Sequence, residues 1–407
     1  MRPFRYCLTL SLLVALLTSS VSFAWASPNT SNLLPVMASA VEENLHSKAA
    51  VLMDMGTKQV LLSKNPDERL PIASVTKIMT MLLVLEALES GQIKLEDTIT
   101  ASPHACSYGG AQIYLEPGEQ FTVEEMLMAV AIKSANDAAV ALAEHVAGSE
   151  SAFVAAMNQR ARELGMENTH FINACGLDGI SVTGKPGDEG YSSAYDVALM
   201  SVTLLKYQPI LKDWLTTRIT YLQRSKGPVE LFNTNHRFIR GYSGADGLKT
   251  GLTDAARYCL SATAERDGFR LIAVVLGAPS DELRYQDVTQ LLNYGFANYI
   301  GRIVVPAGSE VTSVAVNRGQ VQRIPVKTAE PLAVLLKKGQ SFDELEQQVE
   351  LPARVFAPIT NGERLGVLKL VQGNEVLAQV DLIATQDVAK LGFLGNFLRL
   401  LRSWFGT

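Results

Sequence analysis

The sequence predicts an α+β domain, then a small all-β domain, then a terminal amphipathic helix, and three observations carry that reading. β-like runs stand near the start of the chain and return as a block from Asp246 to Ala278, with helical patterns between them. From about Val304 to Ala384 the chain changes to short β-like runs, several of them separated by Gly and Asn. The last stretch divides into an apolar and a polar face at helical spacing.

The 407-residue chain opens with Arg2 and Arg5, an apolar stretch from about Tyr6 to Leu17, and Ala24-Trp25-Ala26. A charged start, an apolar middle and an A-x-A site read as a secretory signal peptide, so residues 1–26 are expected to be cleaved away. The apolar run is shorter than the roughly 20 residues that a transmembrane span needs. The remaining chain divides as 27–302, 303–386 and 387–407. The whole chain carries a formal charge of -5, and loss of Arg2 and Arg5 makes it more acidic still.

Within 27–302, "SKAAVLMDMGTKQVLLSKN" reads as two strands around a turn at Gly56. Pro71 precedes a helix that carries Ser74, and Gly91 closes it. "FTVEEMLMAVAIKSANDAAVALAEHVAG" reads as two helices broken near Ser134, the first with Thr122 and Glu125 as a capping box. "SAFVAAMNQRARELGM" and "SSAYDVALMSVTLLKY" are further helices, the latter with Ser193 and Asp196 three apart. Asp246–Ala278 reads as consecutive strands turning at Thr253-Asp254 and Asp267-Gly268, followed by a helix from about Arg284 to Tyr299. Early and late strands are expected to share one sheet with helices packed on its faces.

The β-rich part carries no histidine, no cysteine and no catalytic cluster, which suits a spacer or docking module. In residues 391–405, Phe393, Leu394, Phe397, Leu398, Leu400, Leu401, Trp404 and Phe405 share one helical face, and Arg399 and Arg402 lie opposite. That pattern fits a helix lying in a membrane interface, so the protein is expected outside the cytoplasmic membrane, held at its outer face.

No basic stripe points to nucleic acid. Beyond the signal, Cys106, Cys175 and Cys259 are too few and too dispersed for a disulfide framework, although one bridge is open to them. Without C-x-x-C or H-E-x-x-H, a metal cofactor is not expected.

The chemistry has to come from elsewhere. Ser74 and Lys77 lie three apart, on one helix face, within hydrogen-bond reach of each other. A serine hydroxyl needs a base, and a lysine kept from water or beside another cation can serve. S-x-x-K alone is weak, occurring about once by chance in a chain of this length. "KSANDAA" adds Ser134 and Asn136 at a helix break, where an N-cap pair is the plainer reading. "DGLKTGLTD" adds Lys249, Thr250 and Gly251 on a strand that is plainly read as an edge, with Gly251 leaving room for a substrate backbone.

In this order, S-x-x-K, S-x-N and K-T-G resemble the penicillin-recognising serine peptidases. With "LPIASVTKIMT", "HACSYGGAQIYLEPGE" and "SSAYDVALMS", the chain looks like a low-molecular-mass penicillin-binding protein, a serine-type D-alanyl-D-alanine carboxypeptidase, over almost its whole length. The resemblance implies a penicillin-binding/β-lactamase-like transpeptidase domain, an antiparallel sheet with helices on its faces. It implies Ser74 as nucleophile, Lys77 as general base and Ser134 as a proton relay to the leaving amine. Asn136 would hold the substrate's peptide oxygen. Lys249 would add positive field, keep Lys77 less protonated and orient Ser134. Thr250 would bond the terminal carboxylate, and the backbone N–H groups of Ser74 and Leu252 would form the oxyanion hole. Arg284 would be an additional carboxylate contact. The implied substrate is a peptidoglycan stem peptide ending in D-Ala-D-Ala, with β-lactams as inhibitors. An endopeptidase or transpeptidase is chemically close. A β-lactamase fits less well without an E-x-x-L-N stretch between Asn136 and Lys249, and a non-catalytic sensor has no need of an intact Ser74, Lys77, Ser134 and Lys249.

Overall fold

The computed structural model describes residues 39–342 and 345–392. The expected signal peptide and the amphipathic stretch from Phe393 onward lie outside the described residues.

Strands β1 (Ala49–Asp54) and β2 (Val60–Lys64) form the first hairpin. The Asp54 carboxylate closes its turn by accepting the backbone N–H groups of Gly56 and Thr57. The late block supplies β3 (Ala245–Thr253), β4 (Arg257–Arg266) and β5 (Phe269–Ala278). All five join one antiparallel sheet in the order β2-β1-β5-β4-β3, with Ala49 opposite Leu276. Every residue of β1 and β5 is buried, as continuous apolar runs require when both sheet faces are covered.

One face packs on the helices of the middle region. Helix α1 (Lys77–Glu89) is buried nearly all round, through Ile78, Met79, Met81, Leu82 and Leu85. Helix α2 (Val123–Met128) starts at a capping box: Glu125 N–H donates to Thr122 Oγ1 at 3.1 Å, and Thr122 N–H donates back to the Glu125 carboxylate at 2.8 Å. A π turn at Ala129–Lys133 and a left-handed Ser134 then break the path before α3 (Asn136–Ala147). Helices α4 (Glu150–Glu163) and α5 (Ala194–Leu204) complete this layer, and the Ser193 hydroxyl caps α5 by accepting Asp196 N–H. The opposite face is covered by α6 (Asp281–Asn298), through Val288, Leu291 and Leu292. Helix α6 starts earlier than the expected Arg284 because the Ser280 hydroxyl caps it. Two short antiparallel pairs were not expected: Thr98–Thr100 with Gln120–Thr122, and Ile219–Leu222 with Val229–Phe232.

Strand β6 (Tyr299–Val305) leaves α6 directly and crosses the expected domain boundary. The β-rich part continues as β7 (Glu310–Asn317), β8 (Arg323–Thr328), β9 (Leu332–Lys337), β10 (Leu345–Glu350), β11 (Arg354–Phe356), β12 (Arg364–Gln372) and β13 (Glu375–Ala384). Its main sheet runs β10-β12-β13-β8-β7-β11, and β6 pairs with β9. Ile324, Val326, Leu368, Leu370 and Leu382 make its core. Residues 387–390, expected to begin the terminal helix, instead stay on this domain: Val388 bridges Ile359 and Lys390 bridges Gly319. The domains meet where Gly56 packs on Ala333 and Lys58 pairs with Glu330 at 3.1 Å.

Candidate active site

Three pieces of chain meet at Ser74. It lies in a 3-10 turn, Ala73–Thr76, that leads into α1. Ala73 is left-handed at φ 47, which costs a residue with a side chain roughly 1–2 kcal/mol. Two glycines brace this turn. Gly176, at φ 82, packs so tightly that a Cβ there would collide with the Ala73 carbonyl oxygen. A Cβ on Gly251 would stand 2.6 Å from the Ile72 carbonyl oxygen. Gly251 therefore serves to seat β3 against the turn that holds Ser74, whereas the sequence assigned its bareness to a substrate backbone.

Lys77 is the first residue of α1 and is fully buried. Its Nζ donates to Asn136 Oδ1 at 2.6 Å, to the Cys175 carbonyl at 2.7 Å and to Ser74 Oγ at 2.9 Å. Burial pushes this amine down to about 8, a shift that Cys175 and the Asp137 carboxylate partly offset. The partners also fix its direction. Asn136 Oδ1 and the Cys175 carbonyl can only accept, so a neutral amine spends both N–H groups on them. Its lone pair is left facing Ser74 Oγ.

Asn136 is held at both ends. Its Nδ2 donates to the Gly109 carbonyl at 2.6 Å, and its backbone N–H donates to Ala111 at 2.7 Å. Asp137, wholly buried, accepts the N–H groups of Ile113 and Leu115 and so stitches this loop to the start of α3. Ser134 is left-handed at φ 65 and buried, and its hydroxyl makes no hydrogen bond among the described residues.

Lys249, Thr250 and Gly251 lie on β3, the edge strand of the sheet. Lys249 is 1 % exposed, and its Nζ has one acceptor among the described residues, the Thr250 carbonyl at 3.1 Å. Burial first, then the charges of Lys77 and Arg284, push its amine well below the ordinary lysine value. Lys249 Nζ makes no hydrogen bond to Ser134 among the described residues. The Thr250 hydroxyl donates to Thr234 Oγ1 at 2.9 Å, and the Leu252 side chain is exposed.

Arg284, expected as a carboxylate contact, is a correction. Its guanidinium is buried, donates to the carbonyls of Gly251 and Cys259, pairs with Asp281 and lies over the rings of Tyr258 and Tyr285. It clamps β3 to β4. The three cysteines among the described residues are free; Cys175 and Cys259 are buried and Cys106 is half-buried.

The sequence did not reveal the Cys175 carbonyl or its supports. Asn173 Oδ1 accepts the N–H groups of Cys175 and Gly176, and its Nδ2 donates to the carbonyls of Leu177 and Ile180. Asn173 and Gly176, three apart in "NACG", were the available signal of a tight turn.

A serine facing a buried lysine, with a second serine and a lysine-bearing edge strand beside them, defines an acyl-transferring serine hydrolase of the penicillin-recognising class. The particular family follows from similarity. A family model described as D-alanyl-D-alanine carboxypeptidase matches residues 36–280, and one for the penicillin-binding protein 5 C-terminal domain matches 302–390. The chain is 43 % identical over 359 residues to D-alanyl-D-alanine carboxypeptidase DacF of Bacillus subtilis, covering 88 % of this chain and 90 % of that one. The structure of penicillin-binding protein 5 from Haemophilus influenzae matches with a TM-score of 0.66 at 29 % identity, over 85 % of this chain and 98 % of that one. Penicillin-binding protein D2 of Listeria monocytogenes, solved in its ampicillin-bound form, matches with a TM-score of 0.55 at 32 % identity, over 62 % and 98 %. The chain belongs to the D-alanyl-D-alanine carboxypeptidase family. It is a serine-type D-Ala-D-Ala carboxypeptidase of the penicillin-binding kind.

Proposed function

We propose that Ser74 and Lys77 carry out the acyl transfer of this carboxypeptidase. Ser74 Oγ attacks the carbonyl between the two D-alanines of a stem pentapeptide as its proton passes to the lone pair of Lys77. The carbon–nitrogen bond breaks, Ser134 relays a proton to the departing amine, and terminal D-alanine leaves. Water then hydrolyses the ester on Ser74. The N–H groups of Ser74 and Leu252 stabilise the oxyanion. Thr250 and Lys249 receive the terminal carboxylate, and the second N–H of Asn136 Nδ2 holds the substrate's peptide oxygen. β-Lactams acylate the same serine and leave slowly.

The observation that carries this reading is the arrangement of Lys77 between two pure acceptors and Ser74 Oγ. The test is release of D-alanine from a peptide ending in D-Ala-D-Ala, together with labelling by a fluorescent penicillin. Both should vanish in Ser74→Ala; labelling that survives would sink the mechanism. Mass spectrometry of the products from a pentapeptide muropeptide checks for carboxypeptidase rather than endopeptidase or transpeptidase action.

The signal-like residues 1–26 and the two-faced residues 391–405 support export and attachment to the outer face of the membrane. Deleting residues 393–407 should release the enzyme from membranes; continued sedimentation with them would refute the anchor.

A further inference from the structure

We propose that Glu150 is a positioning residue for acylation, acting through the peptide that holds the general base. Glu150 is the first residue of α4 and is 3 % exposed. Its Oε1 accepts the Ala174 N–H at 2.9 Å, and its Oε2 accepts the Tyr108 hydroxyl at 2.6 Å and lies 2.7 Å from His104 Nε2. On the other side of the same residue, Thr80 Oγ1 donates to the Ala174 carbonyl at 2.6 Å. Ala174 is thus gripped at both its N–H and its C=O. The next carbonyl along, that of Cys175, is the acceptor of Lys77 Nζ.

This grip has a chemical consequence. The lone pair of neutral Lys77 faces Ser74 only while both pure acceptors stay in place. Asn136 is secured by the loop around Gly109 and Ala111, whereas Cys175 contributes a backbone atom on a loop, which cannot be aimed by a rotamer. Its aim depends on Asn173 within the loop and on Glu150 and Thr80 from outside. Glu150 touches none of Ser74, Lys77, Ser134 or Lys249 among its hydrogen-bond partners, and it adds no proton transfer of its own. Displacing a reacting group by about 1 Å costs about 100-fold in rate, so a loosened Cys175 carbonyl is read out in the acylation step.

The proposal rests on Lys77 acting as base, and the experiment separates the two. Pre-steady-state acylation of the full-length protein by a fluorescent penicillin gives a pre-acylation dissociation constant and an acylation rate constant. Lys77→Ala should lower the acylation rate constant about 10²–10⁴-fold; if it does not, the base assignment itself fails. With that control in place, Glu150→Ala should lower the acylation rate constant about 10–100-fold with the dissociation constant unchanged. Glu150→Gln should stay within about threefold of wild type, because Gln Oε1 still accepts the Ala174 N–H and its Nε2 can donate to the Tyr108 oxygen. Thr80→Val should show a smaller loss in the same constant, and Thr80→Ser should restore it. This pair decides the matter if Glu150→Ala fails to fold. Wild-type acylation by folded Glu150→Ala or by Thr80→Val, or an equal loss in Glu150→Gln and Glu150→Ala, overturns the proposal.

Discussion

The pocket around Lys77 and the edge strand around Lys249 each keep a lysine from water, but they equip it differently. Lys77 has three acceptors within hydrogen-bond distance and the buried Asp137 nearby. Lys249 has one carbonyl and feels two other cations. The first site completes a lysine's bonding without a substrate. The second is short of negative charge, and a substrate carboxylate would supply it. One lysine is equipped to move a proton and the other to recognise an anion.

The sharpest way to break this contrast is to remove each amine separately. Lys77→Ala should reduce acylation about 10²–10⁴-fold with little change in binding, the usual range for a lost general base. Lys249→Gln should instead raise KM about 10–100-fold, the worth of a hydrogen bond to a charged group. It should also erase the preference for a free terminal carboxylate over its amide. If both variants lose mainly acylation rate, measured by the same penicillin assay, the division of labour is wrong.

The pH profile sharpens the Lys77 half. Its folded amine loses its proton near pH 8 rather than at the ordinary value of 10.5. The base is active when neutral, so acylation should rise with pH through about 8 and then level off. Roughly a tenth of the molecules hold neutral Lys77 at pH 7, which makes the gain from pH 7 to pH 9 about tenfold. The sign for stability agrees: the folding penalty of this buried amine is complete below pH 8 and is relieved as pH climbs toward 10.5. A flat profile, or a limb centred below pH 6, would remove the argument. The smallest effect is expected far from both lysines. Glu330→Ala cuts the half-exposed pair with Lys58 between the domains and should change stability by less than about 1 kcal/mol, with D-alanine release unaltered. Thermal unfolding and a turnover assay check it.

The fold was legible where local signals and tertiary demands agreed. The apolar runs of β1 and β5, the turns at Thr253-Asp254 and Asp267-Gly268, and the caps at Thr122 and Ser193 all stand where their residues place them. The hairpin at Ile219–Leu222 and Val229–Phe232 was missed although Val229 and Leu231 turn inward on either side of an exposed Glu230, because each strand is only four residues long. Of the site, the residues with telling side chains were visible once three motifs were read together. The Cys175 carbonyl was not, since a backbone atom leaves no trace in residue identity. Asp137 and Glu150 stand in the first turns of α3 and α4, where acids ordinarily face solvent and favour the helix dipole, so their burial could not be anticipated. Arg284 failed in the opposite sense: an arginine capable of binding a carboxylate has its two terminal nitrogens taken up by Asp281 and two strand carbonyls.

The pairing of β1 with β5 has a temporal consequence. The strand that starts the sheet pairs at once with β2 but finds its second neighbour only after the chain has been made through Ala278, and β3 with Lys249 can be seated only on β4, which lies between β3 and β5. The nucleophile turn is therefore synthesised long before the partners that give it a purpose. Non-local pairing of this kind is slow to form, and a nascent or prematurely ended chain has a serine but no working site. Reactivity toward cell-wall peptide thus waits until the chain has been made through Ala278.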